Sequence, residues 1–186
     1  MIKIIYYVHG TTLDNINKVC SGWNDVDLSE RGIEEAKRLG INTSYKFDLL
    51  FTSDLKRAIK SATLAFPDYE IIQDKRLREC NYGDYDGLDK SLVKYEEHID
   101  VAFPNGESLH DVEFRIREFL KYLKDNYDVK TIGIIAHRAP QLALDVILNN
   151  YSWDSAIKND WRKTGNWQPG WVYIMEDKDE QKIKKR

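Results

Sequence analysis

Short apolar runs alternate with amphipathic stretches along most of the chain. Almost uninterrupted apolar runs cover Ile2–Val8, residues 47–52 and Thr131–Ala136, and a weaker run covers residues 69–72. Their length and their enrichment in Ile, Tyr, Phe and Val are typical of buried β-strands. The pattern therefore predicts three strands and a shorter fourth.

Two of the intervening stretches carry apolar residues at helical spacing. In the first stretch the apolar positions are Leu55, Ala58, Ile59, Ala62 and Phe66. In the second stretch they are Leu109, Val112, Ile116, Phe119, Leu120 and Leu123. Residues at this spacing lie on one side of an α-helix, so both stretches are predicted to be helices with one buried face.

Capping residues indicate where helices begin and end. Ser108, with Asp111 three residues later, predicts a capping box at the start of the second helix. Ser29 is a typical N-cap of an earlier helix, which Gly40 is predicted to end in a left-handed C′ conformation. Strands that alternate with helices predict an α/β fold, a three-layer sandwich in which helices flank a mostly parallel central sheet.

Composition indicates one folded unit. The chain has 186 residues, of which 42% are hydrophobic and 32% charged, and this excludes a disordered or low-complexity protein. We expect a single domain over residues 1–176 and a charged tail over residues 177–186. The net charge of −3 disfavours nucleic-acid binding. No apolar run approaches the roughly 20 residues of a membrane-spanning helix, so we expect no membrane partner and a cytoplasmic location.

Polar residues follow three of the predicted strands, at the sheet edge where α/β proteins bind ligands. His9 follows the strand at Ile2–Val8, and residues 53–57 follow the strand at residues 47–52. His137 and Arg138 follow the strand at Thr131–Ala136. Because parallel strands end at one edge, two histidines and two arginines are predicted to converge there. Pro140 suits the first turn of a helix, whose free amides and positive dipole end would attract an anion beside His137.

The order of these segments resembles the histidine phosphatase superfamily, whose members share the phosphoglycerate-mutase-like fold. The segment His9-Gly10-Thr11-Thr12, with Asn15 downstream, is similar to the family's opening pattern of Arg-His-Gly-x-Thr followed by an Asn. Further matches, in the family's order, are residues 22–25, 28–32, 53–58, 77–79 with 82–87, 104–108 and 136–137. The resemblance covers most of the chain, and its motifs are specific because they occur together and in order.

The resemblance implies phosphoryl transfer through a histidine. His9 would attack phosphorus and carry the phosphoryl group as phosphohistidine, which divides one hard displacement into two easier ones. Arg57 and His137 would stabilise the negative charge on the transferred group. Glu79 would protonate the leaving oxygen and later withdraw a proton from water, unless it only pairs with a neighbouring arginine to hold its loop.

Four further residues of the matched segments are assigned to phosphate or substrate binding: Gly10, Thr12, Asn15 and Gly22. Gly10 has a second explanation, since a close backbone approach or a positive φ also requires glycine. This scheme needs no metal ion and no cofactor, and no spacing of histidines and carboxylates demands a metal. His98 and His110 lie outside the matched segments and are assigned no role.

Two positions depart from the family pattern. Val8 stands where an arginine usually precedes the nucleophile, and Arg138 stands where a small residue usually follows the second histidine. Losing one preorganised donor typically costs about 10²–10³ in turnover. Arg138 either compensates by binding phosphate or forms a surface salt bridge, and the sequence leaves both readings open.

The sequence thus predicts a metal-independent phosphatase that hydrolyses a small phosphorylated metabolite. The compact length favours hydrolysis over phosphoryl transfer of the phosphoglycerate-mutase type, which needs the same side chains. A non-catalytic phospholigand-binding protein is the alternative that Val8 supports, although a mere binding site has no use for a nucleophile and a proton donor.

Aromatic residues cluster late in the chain, namely Trp153, Trp161, Trp167 and Trp171. They are predicted to pack a C-terminal strand or hairpin against the sheet, with a lid over the site as the alternative. No sustained apolar heptad or amphipathic stripe predicts an oligomeric interface, so the sequence carries no prediction of oligomeric state.

Overall fold

The computed structural model describes residues 1–164 and 170–176. A five-stranded sheet lies at its centre. The strands are Ile2–Val8 (β1), Leu49–Thr52 (β2), Ile71–Gln73 (β3), Thr131–Ala136 (β4) and Trp171–Met175 (β5). Their spatial order is β3-β2-β4-β1-β5, in which the first four strands are parallel and β5 runs antiparallel to β1.

The predicted strands agree closely with the observed ones. β1 and β4 have the predicted bounds, β2 begins at Leu49, and β3 covers Ile71–Gln73. The C-terminal strand pairs with β1, so that Tyr173 lies opposite Ile4, and among the described strands β1 is its only partner.

Seven α-helices occur in the described residues. They are Leu13–Ile16 (α1), Glu30–Asn42 (α2), Lys56–Ala65 (α3), Leu109–Asn126 (α4), Arg138–Leu148 (α5), Trp153–Lys158 (α6) and Trp161–Thr164 (α7). Helices α2 and α3 pack on one face of the sheet, while α4, α5 and α6 pack on the other. The prediction of a three-layer α/β sandwich with a mostly parallel sheet is confirmed.

Alternation along β1 explains the two layers of core. Ile4 and Tyr6 belong to the cluster under α4 and α5, whereas Ile5 and Tyr7 belong to the cluster under α2 and α3. Successive side chains of a strand point to opposite faces, so a strand buried on both faces is apolar at nearly every position. The same arrangement accounts for the continuous apolar run in β4.

The predicted helix starts are confirmed. The Ser108 side chain accepts a hydrogen bond from the backbone N–H of Asp111, and the Asp111 carboxylate accepts one from the backbone N–H of Ser108. The Ser29 side chain caps α2 through the N–H of Gly32. These bonds satisfy amides that have no partner within the helix.

The predicted end of α2 at Gly40 is wrong. The helix continues to Asn42, and Gly40 does not have a positive φ. A Cβ atom at this position would lie 2.0 Å from the carbonyl oxygen of Ala65, at the end of α3. Glycine is needed here because two helices approach closely, which a pattern read along one helix does not reveal.

A long irregular segment joins β3 to α4. It contains four short 3₁₀ helices, at Lys75–Leu77, Gly83–Tyr85, Lys90–Leu92 and Tyr95–Glu97. Leu77 and Tyr95 of these short helices are buried and belong to the core cluster under α4 and α5. Several residues of this segment line the cavity at the C-terminal ends of the strands.

One sheet collects strands from both ends of the chain, since β1 begins at Ile2 and β5 ends at Met175. The predicted charged tail, residues 177–186, lies outside the described residues, as does Trp167. None of the helices that the structure describes is both long enough and apolar enough to cross a bilayer.

Candidate active site

Two histidines lie side by side at the C-terminal ends of adjacent parallel strands. Val8 and Ala136 are paired in the register of β1 and β4, and the next residues are His9 and His137. The backbone N–H of His9 donates to the carbonyl oxygen of Ala136 at 3.1 Å. The two imidazole centroids are 5.1 Å apart. Strand register therefore brings together two rings that are far apart in the sequence.

His9 is held as a neutral imidazole. Its Nδ1 lies 2.7 Å from the carbonyl oxygen of Gly10, and because a carbonyl only accepts, Nδ1 carries the proton. Burial, followed by the nearby charge of Arg57 and then of Arg162, lowers the pKa of His9 to about 3. The lone pair is consequently on Nε2, in a side chain that is only partly buried and lines the cavity.

His137 is held from both sides. Its Nε2 is 2.6 Å from the Ser53 hydroxyl, while the Tyr6 hydroxyl accepts from the His137 backbone N–H and donates to the His137 carbonyl oxygen. Burial first, then the charge of Arg57, holds the pKa of His137 well below its usual value. Within the described residues, its buried Nδ1 has no hydrogen-bond partner, which leaves that atom free for a ligand.

Arg57 lies in the first turn of α3, directly after β2. Its side chain is almost completely buried, and Nη1 and Nη2 donate to the carbonyl oxygens of Asn24 and Gly22 at 2.9 and 2.7 Å. Two backbone acceptors orient the guanidinium without neutralising it. Its charge lowers the pKa of both histidines, and it lines the same cavity as His9.

Glu79 is clamped by the N-terminus of α5. Its Oε1 accepts from the backbone N–H groups of Cys80 and Ala139, both at 2.9 Å, and its Oε2 accepts from the N–H of Arg138 at 3.2 Å. The Tyr95 hydroxyl lies 3.4 Å from Oε1. Two of the amides at the helix end beside His137 are therefore occupied by the carboxyl group of a side chain of the protein.

The alternative in which Glu79 pairs with a neighbouring arginine is wrong. Arg78 pairs with Asp54 at 2.6 Å, and Arg76 pairs with Asp74. The carboxyl group of Glu79 instead lines the same cavity as His9.

Arg138 lines the cavity and forms a salt bridge with a completely buried carboxylate, so the reading of a surface salt bridge is wrong, while phosphate binding stays a prediction. Its Nε donates to Asp160 at 2.6 Å, and its guanidinium lies 4.2 Å from the centroid of the Tyr95 ring. Asp160 also pairs with Arg162, whose Nη1 is 3.3 Å away. Burial acts in the opposite direction, but the two guanidinium charges hold the pKa of Asp160 below its usual value.

The remaining predicted binding residues have different surroundings. Thr12 and Asn15 form a capping box at the start of α1, in which each side chain accepts from the backbone N–H of the other. Asn15 and Gly22 both line the cavity, and Asn15 is exposed, whereas Thr12 is fully buried. A Cβ at Gly10 would lie 2.4 Å from the carbonyl oxygen of Gly32, and its φ is not positive, so the close-approach explanation holds.

The site opens into one cavity of about 1090 Å³. His9, Arg57, Glu79 and Arg138 contribute to its wall, whereas His137 lies behind it, fully buried. Exposed residues such as Lys18 and Lys90 line it as well, so the cavity is reached from solvent.

Sequence reasoning missed several side chains of the site. Ser53 could have been predicted, because it directly follows β2 at the same sheet edge as His137. No sequence pattern predicts Asp160 or Arg162, since they lie in short segments after α5 and no spacing relates them to the strand ends. Trp161, one of the late tryptophans, lines the cavity, whereas Trp153 is buried in α6 and donates to Glu113.

An α/β sandwich in which an unprotonated histidine and a buried arginine line one open cavity, with a second histidine packed beside the first, has the features of a phosphoryl-transfer enzyme. A family model described as the histidine phosphatase superfamily, branch 1, matches residues 5–168. The chain belongs to this superfamily.

Individual relatives agree. A 2,3-bisphosphoglycerate-dependent phosphoglycerate mutase from Bartonella bacilliformis is 33% identical over 169 residues, which cover 80% of this chain and 82% of that enzyme. A phosphoglycerate mutase from Schizosaccharomyces pombe is 33% identical over 172 residues, 82% of each chain. Among solved structures, a mycobacterial glucosyl-3-phosphoglycerate phosphatase superimposes with a TM-score of 0.76 at 24% identity, covering 84% of this chain and 86% of that one, which shows a shared fold.

Proposed function

We propose that this chain is a metal-independent phosphatase that hydrolyses a small phosphorylated metabolite through a phosphohistidine at His9. The observation that carries the proposal is the hydrogen bond from His9 Nδ1 to the Gly10 carbonyl oxygen. It places the lone pair on Nε2, in a cavity that also contains Glu79 and Arg57. A nucleophile, a carboxyl group and a fixed positive charge in one cavity are the parts that this reaction needs.

In the first step, Nε2 of His9 forms a bond to phosphorus while the bond to the ester oxygen breaks. The Arg57 guanidinium and the free Nδ1 of His137, in the tautomer that carries its proton there, donate to the phosphoryl oxygens. Because two backbone carbonyl groups already orient the Arg57 guanidinium, its stabilisation is available as charge develops. The imidazole is neutral before attack, so its low pKa keeps the nucleophile ready in mildly acidic solution.

Glu79 serves both steps. In the first step its carboxyl group must carry a proton for the leaving oxygen, and a phosphoester beside it favours that protonated form. In the second step the resulting carboxylate takes a proton from the water that attacks phosphohistidine. The backbone donors from Cys80, Arg138 and Ala139 hold the carboxyl group in one orientation throughout.

Access of water to His9 favours hydrolysis. His9 is partly exposed, and Asn15, Lys18 and Lys90 on the cavity wall are solvent-exposed among the residues that the structure describes. An enzyme that returns its phosphoryl group to substrate must instead keep water from the intermediate. We therefore assign hydrolysis as the main reaction.

Phosphoryl transfer of the mutase type is the second candidate, and similarity to named mutases favours it. The matched residues cover 82% of the Bartonella bacilliformis mutase, so the length of this chain does not by itself separate the two reactions. Exposed Lys18 and Lys90 on the cavity wall also suit a substrate that has more than one anionic group.

Val8 makes this chain a variant of the superfamily pattern, because it carries no charge at the position before the nucleophile. We propose that the missing guanidinium is replaced from elsewhere in the cavity. A protein that only binds a phospholigand would not require a replacement for this guanidinium. Turnover by the wild-type protein therefore separates this proposal from that of a phospholigand-binding protein.

Rapid quenching of the enzyme with a radiolabelled phosphomonoester tests the proposal. We expect acid-labile label on the wild-type protein and none on His9→Ala, while His110→Ala, a change at an exposed histidine outside the cavity, should label normally. Phosphate release should exceed phosphoglycerate interconversion in a coupled assay. Label on His9→Ala would refute the assigned nucleophile, and efficient interconversion with negligible release would establish the mutase instead.

A further inference from the structure

A buried carboxylate with two arginine partners lies at one side of the cavity. The Asp160 side chain is completely inaccessible to solvent, and it pairs with Arg138 at 2.6 Å and with Arg162 at 3.3 Å. The backbone N–H of Arg162 also donates to its Oδ1 at 3.0 Å. One carboxylate balances one of the two guanidinium charges. The group therefore presents a net positive charge at the cavity wall.

The two arginines are engaged to different extents. Arg138 makes the shorter bond to Asp160 and lies against the Tyr95 ring, and its backbone N–H binds Glu79. Arg162 makes the longer bond through Nη1, and its guanidinium lies 4.4 Å from the Trp161 ring centroid. Its side chain is 27% exposed and lines the same cavity as His9. Each guanidinium uses one nitrogen for Asp160, and the bond of Arg162 is the longer one, so Arg162 is the arginine of this pair that Asp160 holds less tightly.

The positive charge of Arg162 reaches both imidazoles. It contributes to the lowered pKa of His9, after burial and Arg57, and to the lowered pKa of His137, after burial, Arg57, His9 and Arg115. Arg162 and His9 line the same cavity, so the guanidinium and the imidazole border one space.

We propose that Arg162 binds the phosphoryl group during transfer, and that Asp160 and Arg138 are positioning residues that hold it there. The proposal rests on the proposed phosphatase function. A phosphomonoester carries a charge of about −1.5 to −2 near neutral pH. With both histidines neutral and Val8 uncharged, Arg57 supplies one positive charge and Arg162 supplies the second. Charge balance at the phosphoryl group thus explains how the site works without an arginine at position 8.

Inorganic phosphate, used as a competitive inhibitor, tests this assignment. Arg162→Met keeps the stem of the side chain beside Trp161 and removes the charge, and Asp160 keeps its bond to Arg138, so the variant should fold. We expect about 10- to 100-fold weaker phosphate inhibition and a fall in kcat/KM of about 10²–10³. Arg162→Lys should recover part of both losses because it restores a positive charge.

Two further variants are compared with Arg162→Met. Arg117→Ala removes an arginine that is also ion-paired, with Glu113, but lies outside the cavity, and it should leave phosphate inhibition unchanged. Arg138→Ala should weaken phosphate inhibition less than Arg162→Met, because Arg138 acts through Asp160. The opposite order, or phosphate inhibition in Arg162→Met within twofold of wild type, would overturn the proposal.

The labelling of His9 distinguishes this proposal from the proposed function. If His9→Ala abolishes phosphohistidine and Arg162→Met binds phosphate normally, the phosphatase stands and the role of Arg162 is lost. If His9→Ala still forms a labelled protein, the phosphatase mechanism fails, while the measured affinity for phosphate still decides whether Arg162 binds it.

Discussion

At the scale of single residues, the two histidines are kept neutral by different surroundings. A carbonyl acceptor fixes the tautomer of His9 and leaves Nε2 facing an open cavity. Ser53 and Tyr6 hold His137 in a fully buried position. The positive charge of Arg57 disfavours protonation of both rings. The accessible ring is suited to attack and the buried ring to donation, although the residues are of one type.

Glu79→Gln tests the carboxyl group as a proton donor. Esters with alkoxide-like leaving groups need the proton, so their kcat/KM should fall by about 10²–10⁴, whereas phenolate esters should lose far less. The amide also places an N–H group against the backbone donors that now face the carboxyl group, a structural loss that both ester types share. The ratio of the two losses, measured by steady-state kinetics, therefore reports the chemical role.

Equal losses for both esters would remove Glu79 from the acid role. Asp84 and Asp86 of the same loop would then be the next candidates, and the structure ranks them. Asp84 is exposed and bound by Asn105, whereas Asp86 is half-buried, and burial raises its pKa. One of its oxygens is buried without a partner among the described residues. Asp86 would be tested first.

At the scale of elements, close contacts of α2 position the loop that carries His9. The N-terminal turn of α2 approaches the backbone after β1, where Gly10 and Gly32 leave no room for side chains. The C-terminal half of α2 approaches the end of α3 at Gly40. The first turn of α3 carries Arg57, so the packing of these two helices also sets the distance between the guanidinium and the loop of His9.

Gly40→Ala should destabilise the protein by about 1–3 kcal/mol, because the new methyl group forces α2 away from the Ala65 carbonyl oxygen. Helix propensity alone predicts the opposite, a gain of about 1 kcal/mol for replacing glycine inside a helix. Urea denaturation measures the sign directly. Lys37→Ala, on the exposed side of the same helix, serves as the control and should change stability little. A more stable Gly40→Ala protein would contradict the close-packing explanation.

At the scale of the whole molecule, the active site lowers stability in acid. His9 and His137 are neutral in the folded protein, and the pKa of each is lowered, that of His9 to about 3. In the unfolded chain they regain the ordinary histidine pKa of about 6.5. Below that pH the unfolded state binds protons that the folded state does not, so stability falls as pH falls.

We expect the free energy of unfolding to decrease as the pH is lowered from about 7 towards about 3, with a slope that approaches about 1.4 kcal/mol per pH unit for each of the two histidines. Urea denaturation at a series of pH values measures this slope. Replacing His9 by Gln should reduce this slope by the contribution of one histidine. His110→Gln, at an exposed ion pair with Asp100, should not reproduce that change. An unchanged slope in His9→Gln would show that His9 titrates normally in the folded protein.

Periodicity and local capping determined much of this fold in advance. The apolar runs of β1 and β4, the buried face of α4 and its capping box depend on neighbours within a few residues, and all appear as predicted. Because parallel strands must end at one edge, the convergence of His9, Arg57 and His137 also follows from the order of strands and polar residues. Motif resemblance added Glu79, whose segment has no strong periodicity of its own.

Tertiary structure decided the contacts between elements that are distant in the chain. The clamp on Glu79 by the amides of α5, the approach of Gly40 to Ala65, and the pairing of Asp160 with two arginines have no signature in local spacing. Each depends on how whole elements pack, and a sequence pattern reports only which side of an element is buried. Hence the convergence of the residues that we propose to react was predicted from the sequence, while their contacts with the amides of α5 and the pairing of Asp160 with two arginines emerged only from the packed molecule.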